Sequence, residues 1–190
     1  MNGRVTLGAT YFNNTFKDEI YTTYPAPLFI ASPANRTTSS KQKGLEVYVQ
    51  AKLSGGFRVD GNYTYLDAKQ PRSVLINNVF TNFVGQAVRR PKGIASLNFS
   101  YEPDNAPFAA TLTVRHTGRQ NELDFTDPSF TPVLVKEKSF TLVNFNTSYK
   151  ISKTIELFGR VENLLNTKYE EVFSFATPGA AVYGGVRVRL

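Results

Sequence analysis

Few side chains in this sequence could carry out bond chemistry. His116 is the only histidine, and there is no cysteine. Without thiols or a second imidazole, a disulfide framework and a His/Cys zinc or iron site are excluded. Serines and aspartates coexist with His116, but no nucleophile motif surrounds any serine. His116 continues the apolar side of a strand, where an interfacial histidine is expected. Gly55-Gly56 reads as a turn and Gly184-Gly185 lies inside a strand, so neither is a phosphate loop. The 22 Lys+Arg against 15 Asp+Glu give a net charge of +7, a balance that could suggest nucleic acid. The one dense cluster, Arg89-Arg90-Pro91-Lys92, fits a solvated strand start better than a phosphate patch. The remaining strand charges alternate and mix signs: Arg58, Asp60, Arg115, Glu156, Arg160, Glu162, Arg187 and Arg189. Such a set either solvates a wall through ion pairs or steers an anionic ligand. Aromatic residues crowd the long connections: Tyr21, Tyr24, Phe29, Phe80, Phe83, Phe125, Phe130, Phe173 and Phe175. They either pack the loops on one another or form a ligand vestibule whose rings suit stacking on a large planar or chelate ligand. The composition thus favours binding over catalysis, with no cofactor and no nucleic-acid partner.

Period-2 alternation dominates the segments that would position these residues. Leu45, Val47, Val49, Ala51 and Leu53 lead to Ser54-Gly55-Gly56, and Phe57, Val59, Gly61, Tyr63 and Tyr65 follow with the same parity. Pairing 53 with 57, 51 with 59 and 49 with 61 puts every apolar residue on one face. The same pattern runs through Ala95–Tyr101 and Phe108–Val114 around a Pro103–Pro107 turn. It recurs in Val143–Tyr149 and Ile155–Val161 around Ile151–Thr154, and in the terminal segments from Val5 and to Leu190. Eight strands result, with no charge on the apolar parity. Across two hairpins Val49 should cover Gly61 and Phe145 should cover Gly159. Connections near 54–56, 103–107 and 151–154 are short. Those near 22–40, 70–91, 119–138 and 166–180 are long.

Alternation alone also suits a soluble β-sandwich. Three features favour a transmembrane barrel. Phe57, Tyr101, Phe108 and Tyr149 flank the short turns on the apolar parity, and Tyr11 and Tyr65 share it toward the long loops, as two interfacial girdles would. The clean alternation lasts about 9–11 residues, enough for a tilted strand to cross hydrocarbon. A cation on the lipid side would cost roughly 2–4 kcal/mol at the midplane, and none occurs there. An open edge in hydrocarbon leaves costly unpaired backbone groups. Together with a Met-Asn-Gly-Arg-Val-Thr-Leu start that lacks a signal-peptide pattern, this leads us to expect eight consecutive strands of a larger barrel. A stand-alone eight-stranded barrel or a soluble sandwich binding module is the alternative.

Three ordered segments resemble TonB-dependent outer-membrane receptors. Glu162-Asn163-Leu164-Leu165-Asn166-Thr167-Lys168-Tyr169-Glu170, followed by Ala176–Gly179 and Tyr183–Leu190, is similar to the end of such a receptor, with Leu165 standing where the family usually has Phe. Lys43-Gly44-Leu45-Glu46 resembles the family's Lys-Gly-x-Glu strand start, and Gly85 through Lys92 its Arg-Pro strand start. The resemblance runs from about residue 43 to 190. Tyr169–Phe173 with Thr177-Pro178-Gly179 is more similar to the vitamin B12 branch than to the ferric-siderophore branch. The resemblance implies an all-β, antiparallel up-and-down barrel of 22 strands in the bacterial outer membrane. Residues 1–190 would form its last eight strands, with the plug domain and N-terminal strands absent. It further implies TonB-dependent uptake of a scarce, bulky extracellular nutrient, a ferric siderophore or cobalamin. The partners would be outer-membrane lipid, the plug and the TonB complex. Val186, Val188 and Leu190 would form the C-terminal signal read by the barrel-assembly machinery, Leu190 replacing the usual Phe. The chain alone would not perform energised transport.

Overall fold

A computed structural model describes residues 4–189 apart from 26, 29, 77–78, 127 and 129–131; the side chains of 73–81 also lie outside the description. The strands, in chain order, are β1 (Val5–Phe16), β2 (Ile20–Thr23), β3 (Ser32–Asn35), β4 (Ser40–Lys52), β5 (Phe57–Ile76), β6 (Val79–Gln86) and β7 (Gly93–Tyr101). They continue with β8 (Phe108–Thr117), β9 (Gln120–Asp124), β10 (Val133–Glu137), β11 (Phe140–Lys150), β12 (Ile155–Glu162) and β13 (Ala181–Val188). The main sheet runs β1-β4-β5-β7-β8-β11-β12-β13, each strand antiparallel to its neighbours and in chain order. These are the eight expected strands. β1 and β13 are the two edges, so the sheet is open.

Sequence patterning explains why this sheet has one apolar face. The register aligns Leu7 with Val49, Val49 with Gly61, Gly61 with Leu97, Leu97 with Val114 and Val114 with Val143. Partners across a ladder share a face, so five strand pairings carry the apolar parity across the sheet without a break. The face is not covered by protein: Leu7 is 72% and Val182 77% exposed. Among the described residues the only buried apolar side chains are Ala68 and Ala87, although 41% of the chain is hydrophobic. A β-sandwich would interdigitate two such faces into a core about 10 Å thick. Leu97, Leu112 and Phe145 are instead half-buried in the wall of a single layer. Hydrophobic stabilisation of this fold therefore has to come from outside the chain.

The turns fix the register. Leu53 N–H donates to Phe57 C=O at 2.8 Å, and Gly55 and Gly56 both adopt positive φ, 71° and 84°, which glycine alone reaches without cost. The expected pairing of 51 with 59 and 49 with 61 follows. Val49 and Leu97 cover Gly61 from both sides, each 3.1 Å from where a Cβ would sit. The hairpin joining β11 and β12 corrects the expected register. Ile151 N–H bonds Ile155 C=O, while Ser152 Oγ accepts the amides of Thr154 and Ile155 at 3.2 and 3.1 Å. The ladder then places Thr147, not Phe145, against Gly159, and Phe145 against Val161.

Glycines on the polar face serve a different purpose. At Gly44 a Cβ would stand 2.2 Å from Tyr65 C=O and 2.5 Å from the Phe12 ring that lies over it. This contact gives the Lys43-Gly44-Leu45-Glu46 segment its structural reason. Gly44→Val is expected to cost about 1–3 kcal/mol through overpacking against backbone. The midpoint of urea unfolding in lipid vesicles checks it; a midpoint equal to the parent's would refute this account.

The long connections carry structure that alternation did not reveal. β5 rises beyond the sheet to Ile76 and pairs there with β6. β2 pairs with β3, and β9 with β10, as separate hairpins. All of these lie at the end opposite the short turns.

Candidate functional site

Most of the expected polar-parity charges are paired with one another, although the arginines outnumber the carboxylates. Arg58 bonds Asp60 at 2.7 Å. Glu156 sits between Arg187 at 3.0 Å and Arg189 at 3.3 Å. Arg160 lies 3.4 Å from Glu162 and stacks on Tyr183, 4.5 Å from the ring centroid. Arg115 makes no ion pair among the described residues. Between the charges, Thr113 Oγ1 donates to Asn98 Oδ1 at 2.7 Å, and the hydroxyls of Ser100 and Thr111 meet at 3.1 Å. These charges, ladders and hydroxyls make a polar wall facing away from the apolar side.

The two expected aromatic rows are where parity put them. Near the short turns Phe57 and Tyr101 pack with ring centroids 4.6 Å apart, Tyr101 and Phe108 are 6.3 Å apart, and Phe108 stands opposite Tyr149. Toward the long loops Tyr11 and Tyr65 flank Leu45 on adjacent strands. His116 is exposed on the apolar face, its Nδ1 2.9 Å from Thr141 Oγ1.

At the loop end the aromatic residues do not form one cluster. Tyr21 and Phe83 line one cleft, and Phe173 lines another with Phe140 and Tyr169. Tyr24, Phe125 and Phe175 are exposed. Phe29 and Phe130, the Phe80 side chain and Leu190 lie outside the described residues. Val186 and Val188 are exposed near the end of the edge strand β13.

Three polar arrangements at this end escaped composition and parity. Glu122 is fully buried, accepting from Arg89 Nε at 2.7 Å and from Leu123 N–H at 2.8 Å. Its carboxylate holds the Arg89 guanidinium even further above its ordinary range. Arg89 thus docks the β9–β10 hairpin, while Arg90 and Lys92 stay exposed as expected of a strand start. Asn163, at φ 49° and 5% exposed, clips the connection after β12 through Thr167 and Pro178. Finally, Arg36 and Arg72 line one cleft together with Tyr21, Asn82 and Phe83. A local clue existed for Asn163 alone, in its place within the Asn-Leu-Leu-Asn segment.

An open, up-and-down sheet with one lipid-suited face, one polar face, short turns at one end and elaborated loops at the other is a stretch of transmembrane β-barrel wall. The family model described as "TonB dependent receptor-like, beta-barrel" matches residues 1–164. The chain belongs to the TonB-dependent receptor β-barrel family, whose members are outer-membrane transport receptors rather than enzymes. The fold is similar to that of the pyoverdine outer membrane receptor FpvA from Pseudomonas aeruginosa PAO1, solved bound to pyoverdine, with a TM-score of 0.73 at 16% identity. That match covers 100% of this chain and 28% of the receptor. The siderophore receptor PirA from Acinetobacter baumannii matches with a TM-score of 0.71 at 18% identity, over 99% of this chain and 30% of that one. The copper transporter OprC matches with a TM-score of 0.69 at 17% identity, over 98% and 29%. The chain therefore spans less than a third of each of these proteins.

Proposed function

We propose that residues 1–190 form the C-terminal eight strands of a TonB-dependent outer-membrane receptor that takes up a bulky metal chelate of the ferric-siderophore type. One observation carries this: a continuous apolar face left bare by the protein, backed by a hydrated face and crowned by loops. The aromatic rows on β5, at Phe57 and Tyr65, are eight residues apart, about 26 Å along a strand and nearer 20 Å across the bilayer at barrel tilt. That spacing supports their role as girdles. The self-paired charges of the polar face suit a wall that solvates a lumen and contacts a plug. The loop aromatics suit a vestibule that stacks on a large ligand.

A chelate is favoured over a bare ion. Among the described residues no three His, Cys, Asp or Glu side chains are grouped to hold a metal, whereas rings and guanidinium groups are plentiful at the loop end. The solved proteins similar in fold include siderophore receptors and a copper transporter, which supports iron or copper cargo more than the cobalt chelate cobalamin. The plug, the TonB complex, outer-membrane lipid and the barrel-assembly machinery are the partners this role requires.

Uptake of radiolabelled iron by cells carrying the full gene product, supplied with hydroxamate, catecholate and mixed siderophores, tests the proposal. Uptake of at least one chelate should fall to background when either the gene or TonB is removed. Uptake that persists without TonB, or labelled cobalamin accumulating where no iron chelate does, would overturn it.

A further inference from the structure

The described residues contain three buried side-chain nitrogens without a hydrogen-bond partner: Arg36 Nε, Arg72 Nη1 and Gln86 Nε2. Two of the three belong to the guanidinium groups that line one cleft of about 410 Å³ at the loop end. Each guanidinium is anchored by a backbone carbonyl. Arg36 Nη1 donates to Pro71 C=O at 2.9 Å, and Arg72 Nη2 donates to Gln86 C=O at 2.6 Å. Arg36 also stacks on Tyr21, 4.6 Å from the ring centroid. The anchors hold both planar groups in place before any ligand arrives.

Charge in the cleft is unbalanced. Glu19 Oε2 lies 3.4 Å from Arg36 Nε, close enough to attract it but not aligned as an acceptor. That carboxylate also accepts from Ser40 Oγ and from Gln70 Nε2. Arg72 has no carboxylate partner among the described residues. Burial first, and then the neighbouring Arg36 charge, lower Arg72 from its ordinary value. The unpaired nitrogens themselves are closed to solvent, but both guanidinium groups line the cleft, and an oxyanion held by a planar fork offsets their uncompensated positive charge.

We propose that Arg36 and Arg72 form an anion-binding site for a carboxylate-bearing solute, with Tyr21, Thr37, Thr38 and Asn82 completing the cleft. The volume suits an anionic arm of several heavy atoms rather than a single ion. A lipid headgroup phosphate shares the oxyanion chemistry. Arg72, however, has the strand parity of Arg58 and Asp60 on β5, the hydrated side, and not that of the exposed apolar residues. This favours a solute from the aqueous side. The inference rests on the uptake proposal only in making that solute a nutrient, so a chelate with free carboxylates is the class expected.

Equilibrium dialysis of tricarballylate against the full gene product in detergent, at low salt, reads the site directly. Saturable binding at one site per chain is expected, with inorganic phosphate competing and the trimethyl ester inert. The double variant R36Q/R72Q should bind at least tenfold more weakly, and R36K/R72K should fall between, because lysine keeps the charge but not the fork. Circular dichroism and heat-modifiable gel migration should match the parent in both. Equal affinity in R36Q/R72Q, or equal binding of the ester, would overturn the site. Competition by lipopolysaccharide but not by phosphate would assign it to a headgroup and overturn the solute. Intact tricarballylate binding in a protein that imports no chelate would sink the uptake proposal and leave the site standing. Chelate import with no tricarballylate binding would do the reverse.

Discussion

Leu97→Arg should prevent stable insertion of this sheet into lipid, whereas Asn62→Arg should be nearly silent. The two positions stand at the same height on neighbouring strands but on opposite faces. Leu97 lies opposite Gly61 and Val114 in the middle of the apolar face, its Cδ1 3.1 Å from the Gly61 Cβ position. Asn62, one residue after Gly61, is exposed on the polar face with Tyr48 and Ser96 as ladder partners. An arginine on the lipid side near the midplane costs about 2–4 kcal/mol, and a lumen-side arginine stays in water. The difference can be read by urea titration of refolding into phospholipid vesicles, with circular dichroism and cold-gel migration as signals. Equal midpoints for the two variants would mean that acyl chains do not cover the Leu97 face.

That contrast depends on parity, and parity was the most legible feature of the sequence. Period-2 alternation identified the eight strands of the main sheet and the face of each residue within the alternating stretches; β1, β4 and β5 run beyond those stretches, where Lys41, Lys43, Asp67 and Lys69 share the parity of Leu45 and Tyr65. It also has a built-in blind spot. A slip of two residues leaves every side chain on its proper face, so alternation cannot distinguish Phe145 opposite Gly159 from Thr147 opposite Gly159. The turn decides, and the deciding group is the Ser152 hydroxyl, which takes two amides and centres the hairpin on Lys153. At residues 54–56 the two glycines announced the turn, and there the register was legible.

The loop end was legible only in outline. Ile20–Thr23 and Ser32–Asn35 show no alternation, and Pro33 argues against a strand; pairing there is local and rests on the contacts of Glu19, Arg36 and Pro71. Pro71 sits within β5, against the usual exclusion of proline from sheet interiors. Beyond Lys69 the strand pairs with β6 alone, so a residue without an N–H is tolerated. Arg36, Arg72 and Glu122 carried no motif at all. Their roles arise from chain segments separated by 35, 14 and 33 residues, a distance over which local patterning is silent. The aromatic content of the loops was plain, but its division between two clefts was not.

Asn163→Ala should open the connection between β12 and β13. The side chain sits where β12 ends and works through both of its polar atoms. Its Oδ1 accepts Thr167 N–H at 2.8 Å, and its Nδ2 donates to Thr167 C=O at 2.9 Å and to Pro178 C=O at 3.4 Å. Its own N–H is held by Asn144 Oδ1 at 2.8 Å. Each lost hydrogen bond is worth about 1 kcal/mol, and an alanine held at φ 49° adds about 1 kcal/mol of backbone strain. A local loss of roughly 2–4 kcal/mol follows. Two further variants separate the causes. Asn163→Gly relieves the backbone but not the hydrogen bonds and should lose about 1 kcal/mol less than alanine. Asn163→Asp preserves shape and the acceptor, yet turns a carboxylate oxygen toward two carbonyls, so it should open the loop at neutral pH despite being isosteric. Amide exchange at Thr167 and protease nicking within 163–180, measured in the full gene product in detergent, give the ranking. If aspartate protects as well as asparagine, the donor half of the clip does not contribute, and Pro178 must be held by other contacts.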